Sequence, residues 1–244
     1  MVTQATKEAA IKAVQSALEY EPRVNLHRYP IRIGFSAGAV VLAGEVADIA
    51  AKKLALERAG AVEGVKGVVD RLRVLAAEHR GDGAIRDSVI GHLLSASELR
   101  KCTVRVRDKG AVETLREPAG DSTGEIELAV EDGVVTLEGR VISLSHKRIA
   151  GVLAWWAPGC RDVINSLDVR PDEEDNDGEV VDALRLVLEM DPLVDAGQIR
   201  VTCRNYVVTL KGYVRTREEK RQAELDAWYL FAVDRVMNEI EVRR

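Results

Sequence analysis

The sequence is poor in cysteine, in aromatic residues and in long apolar runs. Its three cysteines are odd in number and no two of them form a CxxC pair, so their spacing excludes the usual zinc sites and a disulfide framework. No apolar run approaches the ~18–20 residues that span a bilayer, and the first residues lack the apolar stretch of ~7–15 residues that marks a signal peptide. We therefore expect a protein that is cytoplasmic as encoded, or periplasmic if a signal segment has been removed.

The familiar motifs of catalysis are also missing. There is no GxSxG, no phosphate-binding P-loop and no GxGxxG. The four histidines, His27, His79, His92 and His146, are not paired at i, i+3 or i+4 with another ligand in a recognisable metal motif. We therefore predict a protein that is not an enzyme and that needs neither a metal nor any other cofactor.

The net charge of −5 can be traced to one short segment. Residues 170–179 contain six acidic residues and one arginine, which together give −5, so the rest of the chain sums to zero. Non-specific binding to nucleic acid needs a basic face that neutralises phosphates, and this balance predicts no nucleic-acid partner. The acidic segment is expected to be a solvated, extended linker.

What the sequence does contain is one pattern repeated three times. The phrase V-x-L-x-G-x-V occurs around Gly44, Gly139 and Gly212, and the similarity extends without a gap over 44 positions in each copy. Counted from the glycine, a lysine stands eight residues later, and alanines stand eleven and fifteen residues later. Such a register indicates three copies of one supersecondary unit. The shared lysines are Lys52, Lys147 and Lys220.

Each copy is predicted to form a helix, two strands, a second helix and a third strand. The helices show apolar residues at helical spacing, and the strands alternate apolar and polar residues, which is typical of a sheet with one buried face. Turn residues separate the first two strands at Asp132-Gly133, Asn205-Tyr206 and Ala37-Gly38. The expected fold is α+β: three tandem small αββαβ modules, each a three-stranded mixed sheet with two helices on one face.

The boundaries of the modules follow from this register and from the linkers between copies. We expect the first module over residues 6–75, the second over residues 84–170 and the third over residues 178–243. The second copy carries an insertion at about residues 99–124. Alternating residues on either side of Asp108-Lys109-Gly110 predict an extra β-hairpin there, and extra edge strands can pair with a neighbour.

The repeated phrase, the helix with spaced alanines and the segment after that helix resemble the BON domain. The family's motif at this helix end is roughly V-x-G-V-x-x-V-x-N-x-L-x-V, which residues 62–69 and 158–169 follow. The third copy has Ala232 in place of the glycine. The resemblance implies a non-catalytic binding module, of a family proposed to bind phospholipid surfaces and to steady membranes under osmotic or envelope stress.

Eight residues on the second helix of the last two copies are the candidates for binding a lipid or a partner. Aromatic pairs end both helices, where the first copy has Gly60 and Ala61. Exposed rings near basic side chains favour contact with a membrane surface, and the alternative is that the rings pack between modules. The candidates are Trp155, Trp156, Trp228, Tyr229, Lys147, Arg148, Lys220 and Arg221.

Two of the repeated positions are open to a structural interpretation. Gly44, Gly139 and Gly212 are expected to permit the close approach of a helix or a bend in the strand. The lysines that open the second helix stand where a positive charge is unfavourable to the helix dipole. They therefore either face a ligand or cover apolar surface with a solvated stem.

Three kinds of partner stay open at this point. The first is a phospholipid surface or an envelope component, to which three modules would bind with added avidity. The second is a protein, bound by a cytosolic scaffold or adaptor through residues 99–124 or through sheet edges. The third is a small ligand or ion sensed between modules. A homo-oligomer is a further option, because modules of ~65 residues bury little core by themselves.

Overall fold

The computed structural model describes residues 4–36 and 38–243. The chain divides into two compact units, Met1–Leu75 and Ala76–Arg244, and each unit is described by itself. The first unit contains one αββαβ module and the second contains two. The expected α+β fold is confirmed.

The first module is a three-stranded mixed sheet that carries two helices. Its elements are α1 (Gln4–Glu19), β1 (Arg32–Ser36), β2 (Ala39–Val46), α2 (Ile49–Gly60) and β3 (Val68–Val74). The central strand β2 is antiparallel to β1 and parallel to β3. The core contains Leu18 from α1, Leu42 from β2 and Leu72 from β3. Ala37, one of the two residues predicted to turn between β1 and β2, lies outside the described residues.

The second module has the same order of elements, with two additional strands near its start. Its elements are α3 (Asp82–Ser95), β4 (Cys102–Asp108), β5 (Ala111–Arg116), β6 (Gly124–Glu131), β7 (Val134–Val141), α4 (Leu144–Trp155) and β8 (Asp162–Val169). The strands form one five-stranded sheet in the order β5-β4-β6-β7-β8. The last three strands correspond to β1, β2 and β3, with the same antiparallel and parallel pairings.

The third module returns to three strands. Its elements are α5 (Asp177–Met190), a short 3-10 helix (Ala196–Gln198), β9 (Ile199–Arg204), β10 (Val207–Val214), α6 (Arg217–Tyr229) and β11 (Arg235–Val242). The sheet order is β11-β10-β9, with β10 antiparallel to β9 and parallel to β11. Buried apolar side chains from the second and third modules form one continuous core.

Capping residues explain where the second helix of each module begins. Asp48, Ser143 and Thr216 stand four residues after the shared glycine, and each side chain accepts a hydrogen bond from a backbone N–H in the first turn. These residue types are the preferred N-caps because their oxygen satisfies a donor that the helix leaves unpaired.

Two hairpin turns form as their sequences predict. Asp132 and Gly133 both have positive φ, as do Asn205 and Tyr206, which is the pattern of a type I′ turn. In the third module the Asp177 carboxylate at the start of α5 accepts hydrogen bonds from the turn N–H groups of Asn205 and Tyr206, at 2.8 and 2.9 Å. The first helix and the first hairpin are therefore tied together.

The shared glycines bend the middle strand against its antiparallel neighbour. Gly44, Gly139 and Gly212 have φ of 143°, 120° and 131°. A Cβ atom at these positions would lie 2.7 Å from Pro30 O, 2.2 Å from Glu125 O and 1.9 Å from Gln198 O. The positive φ values fit a bend in the strand, and the carbonyl that approaches each glycine lies just before, or at the start of, the antiparallel neighbour and not on the second helix.

The insertion in the second module is built into its core. The predicted hairpin forms from the antiparallel strands β4 and β5, and β4 pairs in parallel with β6. Leu99, Cys102 and Val104 are fully buried in the cluster that also holds Leu93 of α3. The outer strand β5 is mostly exposed, including Val112 at 51 %. Of the two inserted strands, β5 is therefore the one that lies at an edge of the sheet.

Candidate functional site

Three of the four candidate aromatic residues make contacts between the second and third modules, and the fourth is buried. Trp155 at the end of α4 stacks on Tyr229 at the end of α6, with ring centroids 5.4 Å apart and planes 12° from parallel. The indole N–H of Trp156 donates to Asp226 Oδ1 at 2.9 Å, and Trp228 is 2 % exposed. These contacts match the packing alternative, and the rings do not form an open surface.

The four candidate basic residues are not gathered on one surface either. The Arg148 side chain is buried, with Nη2 donating to Asp175 Oδ1 at 2.6 Å and the guanidinium 4.4 Å from the Phe231 ring centroid. Lys147 also lies over that ring, whereas Arg221 is exposed. Arg148 therefore stabilises the contact between modules instead of facing a lipid, because Asp175 and the Phe231 ring both hold its charged group.

In the first and third modules the shared lysine, which lies on the second helix, hydrogen-bonds a backbone carbonyl of the last strand. Lys52 Nζ donates to Leu72 O at 2.8 Å and forms an ion pair with Asp70 at 2.9 Å. Lys220 Nζ donates to Ile240 O at 2.6 Å. These bonds fit neither the ligand-facing nor the solvated-stem interpretation.

In the second and third modules an asparagine on the last strand hydrogen-bonds the backbone of the second helix at the shared lysine. Asn165 Nδ2 donates to Lys147 O at 2.7 Å, and Asn238 Nδ2 donates to Lys220 O at 2.9 Å. The first module has Asp70 at that position, and a carboxylate cannot donate to the carbonyl. The ion pair with the lysine replaces the missing bond there.

A buried carboxylate lies beside the aromatic contact. Asp226 is fully buried, and it accepts hydrogen bonds from Trp156 and from Gln222 Nε2, which also donates to Asp191. Burial, reinforced by the nearby Asp191 carboxylate, raises the pKa of Asp226 to about 8. Asp226 is therefore protonated at neutral pH in the folded protein.

Two of the cysteines are poor nucleophiles. Burial and the Asp177 carboxylate raise the pKa of Cys203 to about 12, and burial also raises the pKa of Cys102. Nucleophilic cysteine chemistry requires the thiolate. Both thiols therefore stay protonated at neutral pH.

A surface that the sequence interpretation did not single out is the face of each sheet that points away from the helices, here called the open face. Residues 25 positions after the shared glycine expose an apolar side chain on this face in all three modules: Val69 is 40 % exposed, Ile164 47 % and Met237 51 %. Alternation along the strands was the available signal for it.

The charge of the open face differs between modules. In the first module Val41 pairs with Val69, and the next position of β2 on this face, Ala43, lies opposite Arg32 on one side and Arg71 on the other. Glu45, which pairs with Arg73, is the acidic residue of this face. We define the open face of the first module as Arg32, Val41, Val69, Arg71 and Arg73. The same repeat positions hold Glu127, Thr136, Ile164, Ser166 and Asp168 in the second module, and Arg200, Thr209, Met237, Glu239 and Glu241 in the third.

The described residues contain neither a metal-binding cluster nor a membrane-spanning helix. Among residues 4–36 and 38–243 there is no group of three or more His, Cys, Asp or Glu side chains placed to hold a metal ion. Within that same part of the chain, no helix is long and apolar enough to cross a membrane.

Comparison with known families gives a clear match. The BON domain matches the chain at three stretches, residues 6–76, 113–171 and 176–244, which together make up more than half of its length. No curated protein sequence matches the chain.

Two solved structures are similar over nearly their whole length. One is the C-terminal domain of CdsD, the structural protein of the Type III secretion system of Chlamydia trachomatis, with 16% identity, a TM-score of 0.25 and coverage of 96% of this chain and 97% of that one. The other, also of CdsD, has 15% identity, a TM-score of 0.25 and coverage of 96% and 92%. Scores this low carry no argument about function.

Proposed function

The chain belongs to the BON domain family as a tandem of three BON domains, and we propose that it is a non-catalytic protein that binds anionic phospholipid surfaces. BON domains are non-catalytic binding modules. We place the contact on the open face of the first module, and not on the aromatic residues that lie between the second and third modules. A role in osmotic or envelope stress, which the family implies, would follow from this membrane contact.

The observation that carries the proposal is the combination of charge and exposed apolar surface on that one face. Arg32 on β1 and Arg71 on β3 are exposed and both lie opposite Ala43 of β2, and Val69 stands on β3 two residues before Arg71. Each basic residue close to an anionic membrane contributes about 1 kcal/mol, so three arginines, offset in part by Glu45, give a binding that is weak and reversible. The corresponding faces of the other modules carry acidic residues and lack this attraction.

The proposal is tested by co-sedimentation of the full chain with vesicles of phosphatidylglycerol and phosphatidylcholine, and with phosphatidylcholine vesicles alone. We expect the wild-type chain to sediment with the anionic vesicles and to dissociate as salt is added. Arg71→Glu should weaken this binding by about 2 kcal/mol, or roughly thirtyfold, since it removes one attractive charge and adds a repulsive one. The matched control is Arg221→Glu, which changes the net charge equally on α6.

Two outcomes would remove the proposal. One is a wild-type chain that stays in the supernatant with anionic vesicles at low salt. The other is a loss of binding in Arg221→Glu with full binding in Arg71→Glu, which would return the contact to the helix that ends in Trp228 and Tyr229.

A further inference from the structure

The second module shows that the edge strand of a module's sheet can pair with an added strand. Strand β4 lies on the free edge of β6, parallel to it, with residues 102–106 opposite residues 124–128. Its side chains Cys102 and Val104 are fully buried. The insertion therefore fills the space between the first helix and the edge strand.

The first module has the same edge without such a strand. Among the described residues β1 is an edge of its sheet, and a groove of about 770 Å³ lies beside it. Ile31 and Ile33 in this groove are partly exposed, whereas their counterparts Ile126 and Leu128 are fully buried beside β4. We call this the β1 groove; its lining includes Ile11, Glu19, Val24, Leu26, Ile31 and Ile33.

The charges beside the edge indicate which strand would fit. In the second module Arg105 of β4 forms an ion pair with Glu125, and Arg107 forms ion pairs with Glu127 and Glu138. At the positions of these three acids the first module has Pro30, Arg32 and Ala43. An arginine-bearing strand would be repelled there, and a strand that carries a carboxylate would be attracted.

We propose that the β1 groove binds an extended segment of a partner protein, which adds to the sheet parallel to β1 with alternate apolar residues in the groove and an acidic residue beside Arg32. Unpaired edge strands bind peptides in this way, because main-chain hydrogen bonds supply affinity and alternate side chains supply specificity. Arg32 is exposed and does not line the groove, so an acidic side chain on the other face of the added strand can reach it. This inference shares Arg32 with the phospholipid proposal but does not depend on it, because the groove and the strand edge are a separate surface.

The test uses the full chain and two labelled peptides derived from residues 99–108, both with alanine in place of Cys102. The acidic peptide carries Arg105→Glu and Arg107→Glu, and the basic peptide keeps both arginines. We expect fluorescence anisotropy to show that the acidic peptide binds ~fivefold more tightly than the basic one. Hydrogen exchange should show new protection of the backbone amides of Arg32–Ser36 in the complex.

Reversing the charge on the protein gives the sharper result. Arg32→Glu should exchange the preference, so that the basic peptide binds ~fivefold better, while Arg200→Glu, the matched position in the third module, should leave it unchanged. Arg71→Glu should weaken vesicle binding and not peptide binding, which separates this site from the membrane contact. The proposal is overturned if neither peptide binds, if Arg32→Glu does not exchange the preference, or if the new protection lies outside β1.

Discussion

At the scale of single residues, Gly139 shows what a missing side chain contributes. Its φ is 120°, and a Cβ atom there would lie 2.2 Å from Glu125 O. A non-glycine residue held at such a backbone angle costs about 1–3 kcal/mol, to which the contact with the neighbouring strand adds. We expect Gly139→Ala to lower the free energy of unfolding by at least ~2 kcal/mol in urea titrations monitored by circular dichroism.

The control for that substitution is a glycine in the same module that has no such constraint. Gly91 lies within α3, and a Cβ atom there would meet nothing within 4 Å. Gly91→Ala should leave stability unchanged or raise it by about 1 kcal/mol, since alanine is the better helix former. Equal stability for the two variants would contradict the structural role assigned to the shared glycine.

Asp226 makes the stability of the second unit depend on pH. The folded protein keeps this carboxyl protonated up to about pH 8, whereas the unfolded chain releases the proton near 3.8. Between these values the folded state binds more protons, so this group makes stability fall as the pH rises from about 4 through 8. We expect Asp226→Asn, which removes the titrating proton, to be more stable than the wild type at pH 8.

Comparing Asp226→Asn with the wild type separates the effect of Asp226 on stability from the effects of other titratable groups. Burial lowers the pKa of His146, which makes stability fall as the pH drops through 6.5, but both proteins share that residue. Thermal unfolding from pH 5 to pH 8 should therefore show a gap between variant and wild type that widens with pH. A gap that is constant across this range would contradict a proton held on Asp226.

At the residue scale, the sequence predicted features that depend on backbone conformation. It did not predict the side-chain partners, which depend on tertiary contacts. The strand bend at the shared glycines was predictable, because few residues adopt such angles. The bonds of Lys52 and Asn165 were not predictable, since a lysine or asparagine on a helix or strand has the same spacing whether its partner is solvent or a carbonyl. The stacking of Trp155 on Tyr229 depends on how two modules meet, which neither repeat encodes locally.

At the scale of elements, the inserted hairpin divides into a structural strand and an accessible one. Val104 on β4 is fully buried, while Val112 on β5 is 51 % exposed. We expect Val104→Ala to destabilise the second unit by about 2 kcal/mol, because it leaves a cavity in the core. Val112→Ala should change stability by less than about 0.5 kcal/mol, as measured by urea unfolding; similar losses in both variants would show that β4 is not part of the core.

Element order and strand pairing were largely predictable from the sequence. The alternation in the strands and the turn residues at Asp132-Gly133 indicated the first hairpin of the second module, and the residues around Asp108-Lys109-Gly110 indicated the extra one. What periodicity could not give is the partner of β4, because alternating residues fit either edge of a sheet equally well. The parallel pairing of β4 with β6 buries Cys102 and Val104 in the core that also holds Leu93 of α3.

At the scale of the whole molecule, three equivalent modules differ mainly in what their surfaces carry. The ungapped register of the three copies was enough to predict the tandem architecture. It left open whether the modules pack together, because that depends on contacts between copies, such as the stacking of Trp155 on Tyr229 beside the core that the second and third modules share. The repeat did not indicate the open face of the first module, because Arg71 and Arg73 stand where the other modules have serine, aspartate or glutamate.

The most direct test of the membrane contact compares matched positions on two open faces. Val69→Cys and Met237→Cys place one thiol each at the same repeat position, and an environment-sensitive dye can label them selectively, since Cys102 and Cys160 are buried and Cys203 has a pKa of about 12. With anionic vesicles we predict a blue shift of the dye at position 69 and none at position 237. A shift at position 237 alone, or at neither position, would contradict binding through the first module.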